Sequence, residues 1–449
     1  MTTQVQPENS NIKEFQIINN QNDNSIDMRE GTPVFQYYEN ILSNHITASA
    51  QIVETGKSIE GDDGKLRNAI DGLPIRGGEI VRFEAEDKAG NKITFKGDKA
   101  LYVNKISNVF GNKSNITYNL NFCTKEFLAN AQTRCVKRYK RPAKISDHVK
   151  DILKNTLKTT NFRDEDIEET QQSYEFIGNS RKPFHVITWL AQKSIPADSQ
   201  PKASAGYYFY ETQDGFQFRS VDGLLNDKEV ASGNNKSPKA FKYKGTNFSG
   251  ENSGPGNIIS YEVLNTIDLQ SNMMIGAYVN NTLYFDPYTF ECESVEYKME
   301  DSQWNKVKTG GSETVDYVKP EFREGPTRLM TRIKDNGILP SGADGDKQLS
   351  TWKEEPSKDN DEMASNMVQS VMRYTQMFTL QLQISVPGDF SIRAGEIIYC
   401  EFPDKSENQS DNKDIGGYYV VANLCHQITA TDTVTSMSLI RDSYGKKPL

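Results

Sequence analysis

The sequence predicts an α+β protein dominated by strands, with two homologous small antiparallel β-barrel or sandwich modules, a helix-containing linking domain and an inserted domain. Three observations lead to this fold class. Short runs of β-branched and aromatic residues alternate with Gly and Asn turns over 31–123. The apolar period then lengthens to that of helices over 124–205. A ten-residue pattern at 75–84 also recurs at 392–401, near the other end of the chain.

Length and composition exclude several classes of function. A chain of 449 residues corresponds to about three or four domains. Its 52 Lys and Arg against 61 Asp and Glu give a net charge of −9, which is unsuited to coating DNA or an anionic membrane. No apolar run approaches the ~18 residues of a membrane span, and the first residues do not form a signal peptide. Five scattered cysteines without a C-x-x-C pair indicate reduced thiols in a cytosolic product.

The first third of the chain is predicted to contain an arm and a β module. Residues 1–30 are polar and rich in Asn and Gln, so we expect an N-terminal arm that is mobile or orders only on assembly. Residues 31–123 form the first β module. Its strands are predicted at 46–53, 80–83, 93–95, 102–106 and 116–122.

Residues 124–205 are predicted to form the linking domain, because helical spacing replaces alternation there. Thr124 can cap a first helix. A second helix begins near Ser146, and a third begins at Pro183, a favourable first helical position. The first helix is expected to carry Phe127, Leu128, Ala131 and Cys135 on one side.

The second β module is predicted to be discontinuous, built from 206–268 and 377–449. A hairpin is expected near its start, and the segment from Met377 to Val386 alternates apolar and polar residues cleanly. Residues 269–376 form the inserted domain. Its stretch 299–362 has little apolar period, which is typical of an insertion with its own role.

The repeated pattern supplies the candidate site residues, which we expect at a ring interface or in the core. Every aligned residue lies 317 positions after its counterpart, and the match continues without a gap. Ala100–Val103 then falls on Gly417–Val420, while Leu120 and Phe122 fall on Met437 and Leu439. Coincidence among β-hairpins is the alternative to duplication. The candidate residues are Ile75, Arg76, Gly78 and Glu79, with Ile392, Arg393, Gly395 and Glu396.

A duplicated module has a consequence for assembly, because three chains would present six similar units, and heterologous contacts can close such units into a ring. Glu79 and Glu396 are predicted to be strand-edge charges or to form ion pairs with Arg76 and Arg393. A catalytic pair of these carboxylates is disfavoured, because duplication places them in separate modules.

Motifs for catalysis, cofactors and metals are not found in the sequence. Thr55–Ser58 lacks the glycine spacing of a phosphate-binding loop. Cys425 and His426 are neighbours on a predicted strand, so they point to opposite faces and cannot form a dyad. No two histidines have the spacing of a helical zinc site. We therefore expect a non-enzymatic protein with no catalytic, cofactor-binding or metal-binding residues.

Several segments resemble the baseplate central hub proteins of contractile-tailed bacteriophages, of the T4-like and cyanophage-like kind. The resemblance lies in the closing hairpin, the strand entry before it, a middle segment and a basic run in the linking domain. The long stretch 299–362 and the long arm depart from that family. The matching segments are Gly417–Ile428 with Thr435–Arg441, Phe390–Glu396, Met274–Tyr278 with Leu283–Pro287, and Arg134–Leu153.

The resemblance implies a homotrimer whose two tube-like modules per chain form a pseudo-hexameric ring. Such a ring joins the hexameric tail tube, or a tube initiator, to the trimeric central spike protein. Baseplate wedge proteins are further implied partners. The resemblance implies a place in the virion, at the tail baseplate, after synthesis and assembly in the host cytoplasm. No membrane and no specific nucleic-acid partner is expected.

Three alternatives stay open at this stage. One is the equivalent hub of a contractile secretion or injection particle. Another is a tail-associated cell-wall hydrolase, although the sequence shows no catalytic constellation for it. The third is a DNA-binding protein, for which the basic run from Arg134 to Lys144 is the only candidate surface.

Overall fold

The structure is a computed structural model of the whole chain, whose five cysteines are free thiols. No helix in the described part of the chain has the length and apolar character needed to cross a membrane. The structure describes residues 10–21, 24–56, 59–60, 64–112, 115–197, 204–225, 238–243, 256–266, 268–287, 289–298, 310–311, 319–322, 324–335, 337–338, 360, 363–403 and 414–445.

Strands dominate the molecule, and the predicted fold class is confirmed. The strands are β1 (Asn11–Ile18), β2 (Ser25–Asp27), β3 (Val34–Asn40), β4 (Thr47–Glu54), β5 (Ile59–Glu60), β6 (Leu66–Arg67), β7 (Ile80–Glu86), β8 (Lys92–Phe95), β9 (Leu101–Gly111), β10 (Ile116–Thr124), β11 (Arg138–Tyr139), β12 (Phe176–Ile177), β13 (Tyr207–Thr212), β14 (Gly215–Ser220), β15 (Lys239–Lys242), β16 (Ser260–Asn265), β17 (Val279–Phe285), β18 (Cys292–Lys298), β19 (Arg328–Ile333), β20 (Leu380–Pro387), β21 (Ile397–Glu401), β22 (Gly417–Thr429) and β23 (Thr433–Arg441).

Helices are short and mostly belong to the linking and inserted regions. Three-residue 3₁₀ turns occur at Gly97–Lys99, Asp164–Asp166 and Pro320–Phe322. The α-helices are α1 (Ala69–Gly72), α2 (Lys125–Gln132), α3 (Ile145–Asp151, continued by a π-helical turn over Ile152–Leu157), α4 (Pro183–Ala191), α5 (Val221–Leu224), α6 (Leu269–Met274) and α7 (Met363–Gln376).

One large sheet runs through the molecule in the order β16-β20-β23-β22-β3-β4-β10-β9-β7-β1-β2. Neighbours along this path are antiparallel. Strand β21 pairs with β22 and carries β15 in parallel on its far side, while β8 pairs with β7. The pairing of β22 with β3 is the point where strands from the two ends of the chain join into a single sheet.

Two separate apolar cores lie on one side of this sheet. The first contains Phe15, Phe35, Phe83 and Phe122, with Phe35 stacked on Phe83 at a ring separation of 3.8 Å. The second is built around apolar residues of β20, β22 and β23. Burying one such side chain stabilises a fold by roughly 1.5–3 kcal/mol, so each core can hold a module together. Two cores agree with the two modules expected from the repeat.

The prediction of an N-terminal arm is wrong for the residues that form β1. This strand pairs with β7 along its length, and Phe15 and Ile17 are fully buried in the first core. The cause is visible in the sequence, because these two residues alternate with polar ones as in any half-buried strand. Residues 1–9, the first part of the predicted arm, lie outside the described residues.

The three predicted helices of the linking domain are present, and they begin where capping and proline signals placed them. The predicted apolar side of α2 is partly buried: Phe127 and Leu128 are half-buried, Ala131 is exposed, and the buried Cys135 lies beyond the end of the helix. Its buried residues are Glu126 and Asn130, whose side chains accept hydrogen bonds from Thr159 Oγ1 at 2.7 Å and from the Phe184 amide at 2.9 Å. Polar groups can be buried there because each finds a partner in a neighbouring segment.

The hairpin β13–β14 was expected to open the second module, but it forms its own two-stranded sheet. Alternate residues of β13 enter different cores. Tyr207 and Phe209 pack in the linking domain, while Tyr208 and Tyr210 pack in the second module's core. Because both faces of the strand are aromatic, period-two analysis could not assign it to one domain.

The inserted region contains a small three-stranded sheet in the order β18-β17-β19, and α7 packs beside it. Strand β19 is parallel to β17 and lies on the opposite side of it from β18. Much of the irregular stretch 299–362 lies outside the described residues. Helix α7 ends at Gln376, and the domain boundary at 376 stays a prediction.

Candidate assembly site

Five strands of the first half are repeated in the second half with the same neighbours. The first module is defined here as β3, β4, β10, β9 and β7, and the second module as β16, β20, β23, β22 and β21. In each, the strands pair in the order given, and every pairing is antiparallel. The topology therefore supports duplication rather than coincidence among hairpins.

The register of the two modules corrects the gapless alignment by one residue. Strand β23 begins and ends 317 positions after β10, so the equivalence of Phe122 with Leu439 holds. Phe122 pairs with Val103, whereas Leu439 pairs with Val421, which lies 318 positions after Val103. One extra residue therefore lies between β21 and β22. Both modules also skip one residue at the same place, Asn104 in β9 and Ala422 in β22.

The repeated motif forms the same turn in both modules. Gly78 and Gly395 have φ of 87° and 83°, a left-handed backbone that favours glycine. Their amides donate to the carbonyls of Val103 and Val421 at 2.7 and 2.8 Å. The turn thus anchors the entry of β7 onto β9, and of β21 onto β22.

The two repeated glutamates hold this turn through backbone amides. The Arg76 amide donates to Glu79 Oε1 at 2.7 Å, and the Arg393 amide donates to Glu396 Oε2 at 3.2 Å. Among the described ion pairs, none joins either glutamate to the guanidinium of Arg76 or Arg393. Burial raises the pKa of Glu396 above its ordinary value, against the opposing effect of the Arg393 amide. These two carboxylates therefore stabilise the turn.

The eight candidate residues divide into core, turn and surface positions. Ile75 and Ile392 are buried, one in each core. The Arg76 side chain is exposed, whereas Arg393 donates to Asp214 Oδ2 at 3.1 Å and to the Phe390 carbonyl at 2.6 Å. Contact of any of them with a second chain stays a prediction.

The two modules meet within one chain at the seam between β22 and β3, which we call the internal seam. Seven consecutive residue pairs join Asn423–Thr429 to Val34–Asn40. Ile428 and Phe35 face each other there and are 2% and 0% exposed. On the opposite face, the Gln36 amide donates to Gln427 Oε1 at 3.2 Å. The internal seam is a full strand pairing with an apolar side and a polar side.

Glu39, at the end of β3, connects three parts of the molecule. Its carboxylate accepts the Tyr37 hydroxyl at 2.5 Å and the backbone amides of Gln213 and Ala394 at 2.8 Å each. Burial raises the pKa of Glu39, and the nearby positive charge of Arg393 opposes that effect. This single buried carboxylate fixes the first module, the second module and the β13–β14 hairpin relative to one another.

His426 is placed as the sequence predicted, on the opposite face from Cys425. Its Nδ1 is 2.8 Å from Thr435 Oγ1, and its ring stacks parallel to Tyr37 across the internal seam. Burial, reinforced by the charge of Arg393, lowers its pKa to about 3. The described residues contain no group of three or more His, Cys, Asp or Glu side chains placed to hold a metal ion. His426 is a packed sheet residue.

Glu211, in β13, is a buried acid between the first module and the linking domain. It accepts the Ile46 amide, the Thr124 hydroxyl and the Asn161 amide at 3.0–3.2 Å. Burial, with repulsion from Glu126, raises its pKa to about 8. Thr124 thus begins α2 as predicted, but its hydroxyl bonds Glu211 instead of capping the helix.

The face of the sheet opposite the cores lacks charge over six adjacent strands, β20, β23, β22, β3, β4 and β10, all of them described. We call it the bare face. A quarter of the chain is charged, so composition alone does not explain this. Its side chains are Gln381, Gln383, Ser385, Val434, Ser436, Ser438, Asn423, Cys425, Gln427, Thr429, Val34, Gln36, Tyr38, Asn40, Thr47, Ser49, Gln51, Val53, Thr117, Asn119 and Asn121.

The basic run of the linking domain is largely engaged within the chain. Lys137 forms an ion pair with Asp151, and Lys144 forms one with Glu169. Arg141 donates to Asn360 Oδ1 at 3.1 Å. The basic side chains that DNA binding would use therefore have partners within the chain, which offers a structural explanation for their presence.

Comparison with known proteins identifies the fold. No protein-family model and no curated protein matches the sequence. The 43 kDa tail protein of prophage MuSo2 from Shewanella oneidensis has a TM-score of 0.51 at 9% identity, over 95% of this chain and 98% of that one. A tail protein from Neisseria meningitidis MC58 has a TM-score of 0.50 at 10% identity, over 97% of each chain. The resemblance to phage tail proteins is confirmed at the level of the fold.

Sequence reasoning missed the internal seam and the buried acids Glu39 and Glu211. The seam joins residues nearly 400 positions apart, and no local pattern indicates which edge a strand will use. The acids sit in alternating strand positions that read as ordinary polar residues. A usable signal was their phase, because Glu39 follows Phe35 and Tyr37 at intervals of two and therefore points into the core.

Proposed function

We propose that this chain is a structural hub protein of a phage tail baseplate. It forms a homotrimer whose six modules make a pseudo-hexameric ring, and the ring joins the hexameric tail tube to the trimeric central spike. Tube protein or tube initiator, spike protein and wedge proteins are its partners. No catalytic residue takes part. The proposed site of action is the baseplate of the virion.

One observation carries the proposal: two copies of the same five-strand unit are already joined head to tail in one chain. The internal seam uses the β22 edge of one unit and the β3 edge of the other. A heterologous contact of this kind leaves one unused edge of each type, so it propagates from copy to copy and gives a ring where the rotation closes. The shared fold with tail proteins, at TM-scores of 0.50 and 0.51, supports the same setting.

The test is the mass and shape of the purified chain. Three chains of 50.7 kDa give about 152 kDa by light scattering. Negative-stain images of the same sample should show rings with sixfold density. A chain that stays monomeric at every concentration would contradict the proposal. Release of peptidoglycan fragments by the purified chain would instead favour the cell-wall hydrolase.

A further inference from the structure

The geometry points to a specific contact between copies: β9 of one chain pairs antiparallel with β16 of the next, in the register of the internal seam. This inference rests on the proposed ring and names the surfaces that close it. We call the contact the external seam. It is derived from two strand edges, each equivalent to one edge of the internal seam.

Among the described strands, the outer half of β9 pairs only with β10, and β16 pairs only with β20. Their equivalents, β22 and β3, use those same edges to pair with each other. An open strand edge presents unpaired amides and carbonyls, which is a liability unless another chain covers it. The pairing of β22 with β3 inside one chain therefore indicates how the open edges of β9 and β16 pair between chains.

Apolar side chains are exposed along both open edges. Val109 and Phe110 of β9 are 62% and 69% exposed, and Val263 and Leu264 of β16 are 36% and 49% exposed. At the internal seam, the corresponding strands bury Phe35, Leu424 and Ile428. Contiguous exposed apolar residues on a strand edge are typical of a protein–protein contact. A second copy of the chain is the occupant, because it carries the complementary edge.

The β9 side of the register follows from β10 and β23. Thr117 of β10 pairs with Phe110, and its equivalent Val434 pairs with Gln427. Phe110 therefore takes the place that Gln427 has at the internal seam.

The β16 side follows from β4 and β20 in the same way. Ser49 of β4 pairs with Gln36, and its equivalent Gln383 pairs with Glu262. Glu262 therefore takes the place of Gln36. Since Gln427 faces Gln36 within the chain, Phe110 is expected to face Glu262 of the next copy.

The two open edges also share an irregularity that the internal seam lacks. Cys425 and Gln427 of β22 lie two positions apart. Their equivalents in β9, Ser107 and Phe110, lie three positions apart, because β9 bulges there by one residue.

A matching bulge occurs on β16. Tyr38 and Gln36 of β3 lie two positions apart, whereas their equivalents, Asn265 and Glu262, lie three apart. Each open edge thus carries one extra residue at the same point of the pairing. The extra residues keep the two edges in register with each other, and a one-sided bulge would not.

Cysteine pairing tests the register directly, because facing strand residues lie within disulfide distance. The variant Phe110→Cys with Glu262→Cys is made in a Cys292→Ser background, which removes the exposed native thiol. After mild oxidation, we expect covalent dimers and trimers on a non-reducing gel as the main species. The matched control, Phe110→Cys with Val263→Cys, shifts one partner to the opposite face and should stay unlinked, as should each single variant.

Light scattering of the same reduced samples separates the external seam from the proposed function. Trimers that link only in the Phe110 and Glu262 variant support the seam and its register. Trimers that link in the Val263 control, or in neither variant, overturn the register and leave the ring proposal intact. Monomers without links overturn both.

Discussion

The two modules share strand order, turn, bulge and register, yet they differ in what covers one edge of each. The β22 edge of the second module is covered by β3 of the first, whereas no other described strand covers the equivalent edge of β9. The same is true of β3 and β16. A contact that a symmetric assembly needs between chains is therefore already made once inside the chain.

In the proposed ring, this difference separates residues needed for folding from residues kept for assembly. Residues at the internal seam are buried in the isolated chain, so their loss should unfold it. Residues at the equivalent open positions should matter only when copies meet. Duplicated modules provide matched pairs of positions on which that distinction can be measured.

The largest difference is expected between Phe35→Ala and Phe110→Ala. Phe35 is fully buried and stacked on Phe83, so truncation should lower the free energy of unfolding by about 3–5 kcal/mol. Phe110 is exposed, so its truncation should change the free energy of unfolding of the isolated chain by less than about 0.5 kcal/mol. Urea unfolding measures the free energy of unfolding of both variants. Light scattering then shows whether Phe110→Ala loses the trimer. Equal unfolding costs would contradict the comparison.

The two repeated glycines provide the next contrast. A Cβ at Gly395 would lie 2.0 Å from the Tyr210 hydroxyl, whereas at Gly78 its nearest neighbour is Asn20 Nδ2 at 3.5 Å. Both substitutions to alanine strain a left-handed backbone, at about 1–2 kcal/mol. Gly395→Ala should add an overpacking cost of about 1–3 kcal/mol. Thermal unfolding of the two variants should show Gly395→Ala melting clearly lower, and reversed order would argue against the described packing.

A smaller contrast is expected between the two repeated arginines. Arg393→Ala removes hydrogen bonds to Asp214 and to a carbonyl, and it leaves the buried Glu39 without a nearby positive charge. Its free energy of unfolding should fall by about 2 kcal/mol. Arg76→Ala, at the exposed equivalent, should stay within about 0.5 kcal/mol of the parent. Denaturant midpoints report both, and matched losses would mean that Arg76 has a partner of similar strength.

The effect that is smallest per pH unit concerns the contact between the first module and the linking domain. The folded pKa of Glu211 is about 8, above the ordinary 4.5. Its contribution to stability is therefore fully present below pH 4.5 and is lost as pH rises toward 8, by at most about 1.4 kcal/mol for each pH unit. Between pH 7 and 8 the loss should be about 1 kcal/mol.

Glu211→Gln should remove that pH dependence while keeping the packing. Asn161 Oδ1 has no hydrogen-bond partner among the described residues, so a flipped Asn161 amide can accept the new Gln amide hydrogen. Melting temperatures from pH 5 to 9 should then fall less steeply than in the parent. The exposed Glu165→Gln serves as control. Parallel curves for the parent and Glu211→Gln would show that Glu211 does not titrate in this range.

The duplication could be predicted because a short turn with strict chemistry survives in both copies. The extra residue between β21 and β22 could not be predicted, since the loops before β9 and β22 differ in sequence. A shift by one normally reveals itself by exchanging the two faces of a strand. Gly417–Ala422 is buried on both faces, so no alternation remained there to fix the register.

In β1 and α2, the composition of the segments conceals the pattern of their buried residues. The Asn-rich and Gln-rich context of β1 concealed the alternation of Phe15 and Ile17. In α2, the apolar residues Phe127 and Leu128 are only half-buried, whereas Glu126 and Asn130 are buried because their hydrogen-bond partners lie in distant segments. The internal seam depends on pairing between chain ends, which local residue patterns do not encode.

The bare face has a consequence for whatever moves past it. In a ring closed by both seams with the cores on its outer side, the bare face would line the central passage. A wall of hydroxyl and amide groups carries no fixed charge and gathers no counterion layer. A charged polymer crossing it would meet neither an electrostatic trap nor a barrier. Its rate of transit should therefore be nearly independent of salt concentration.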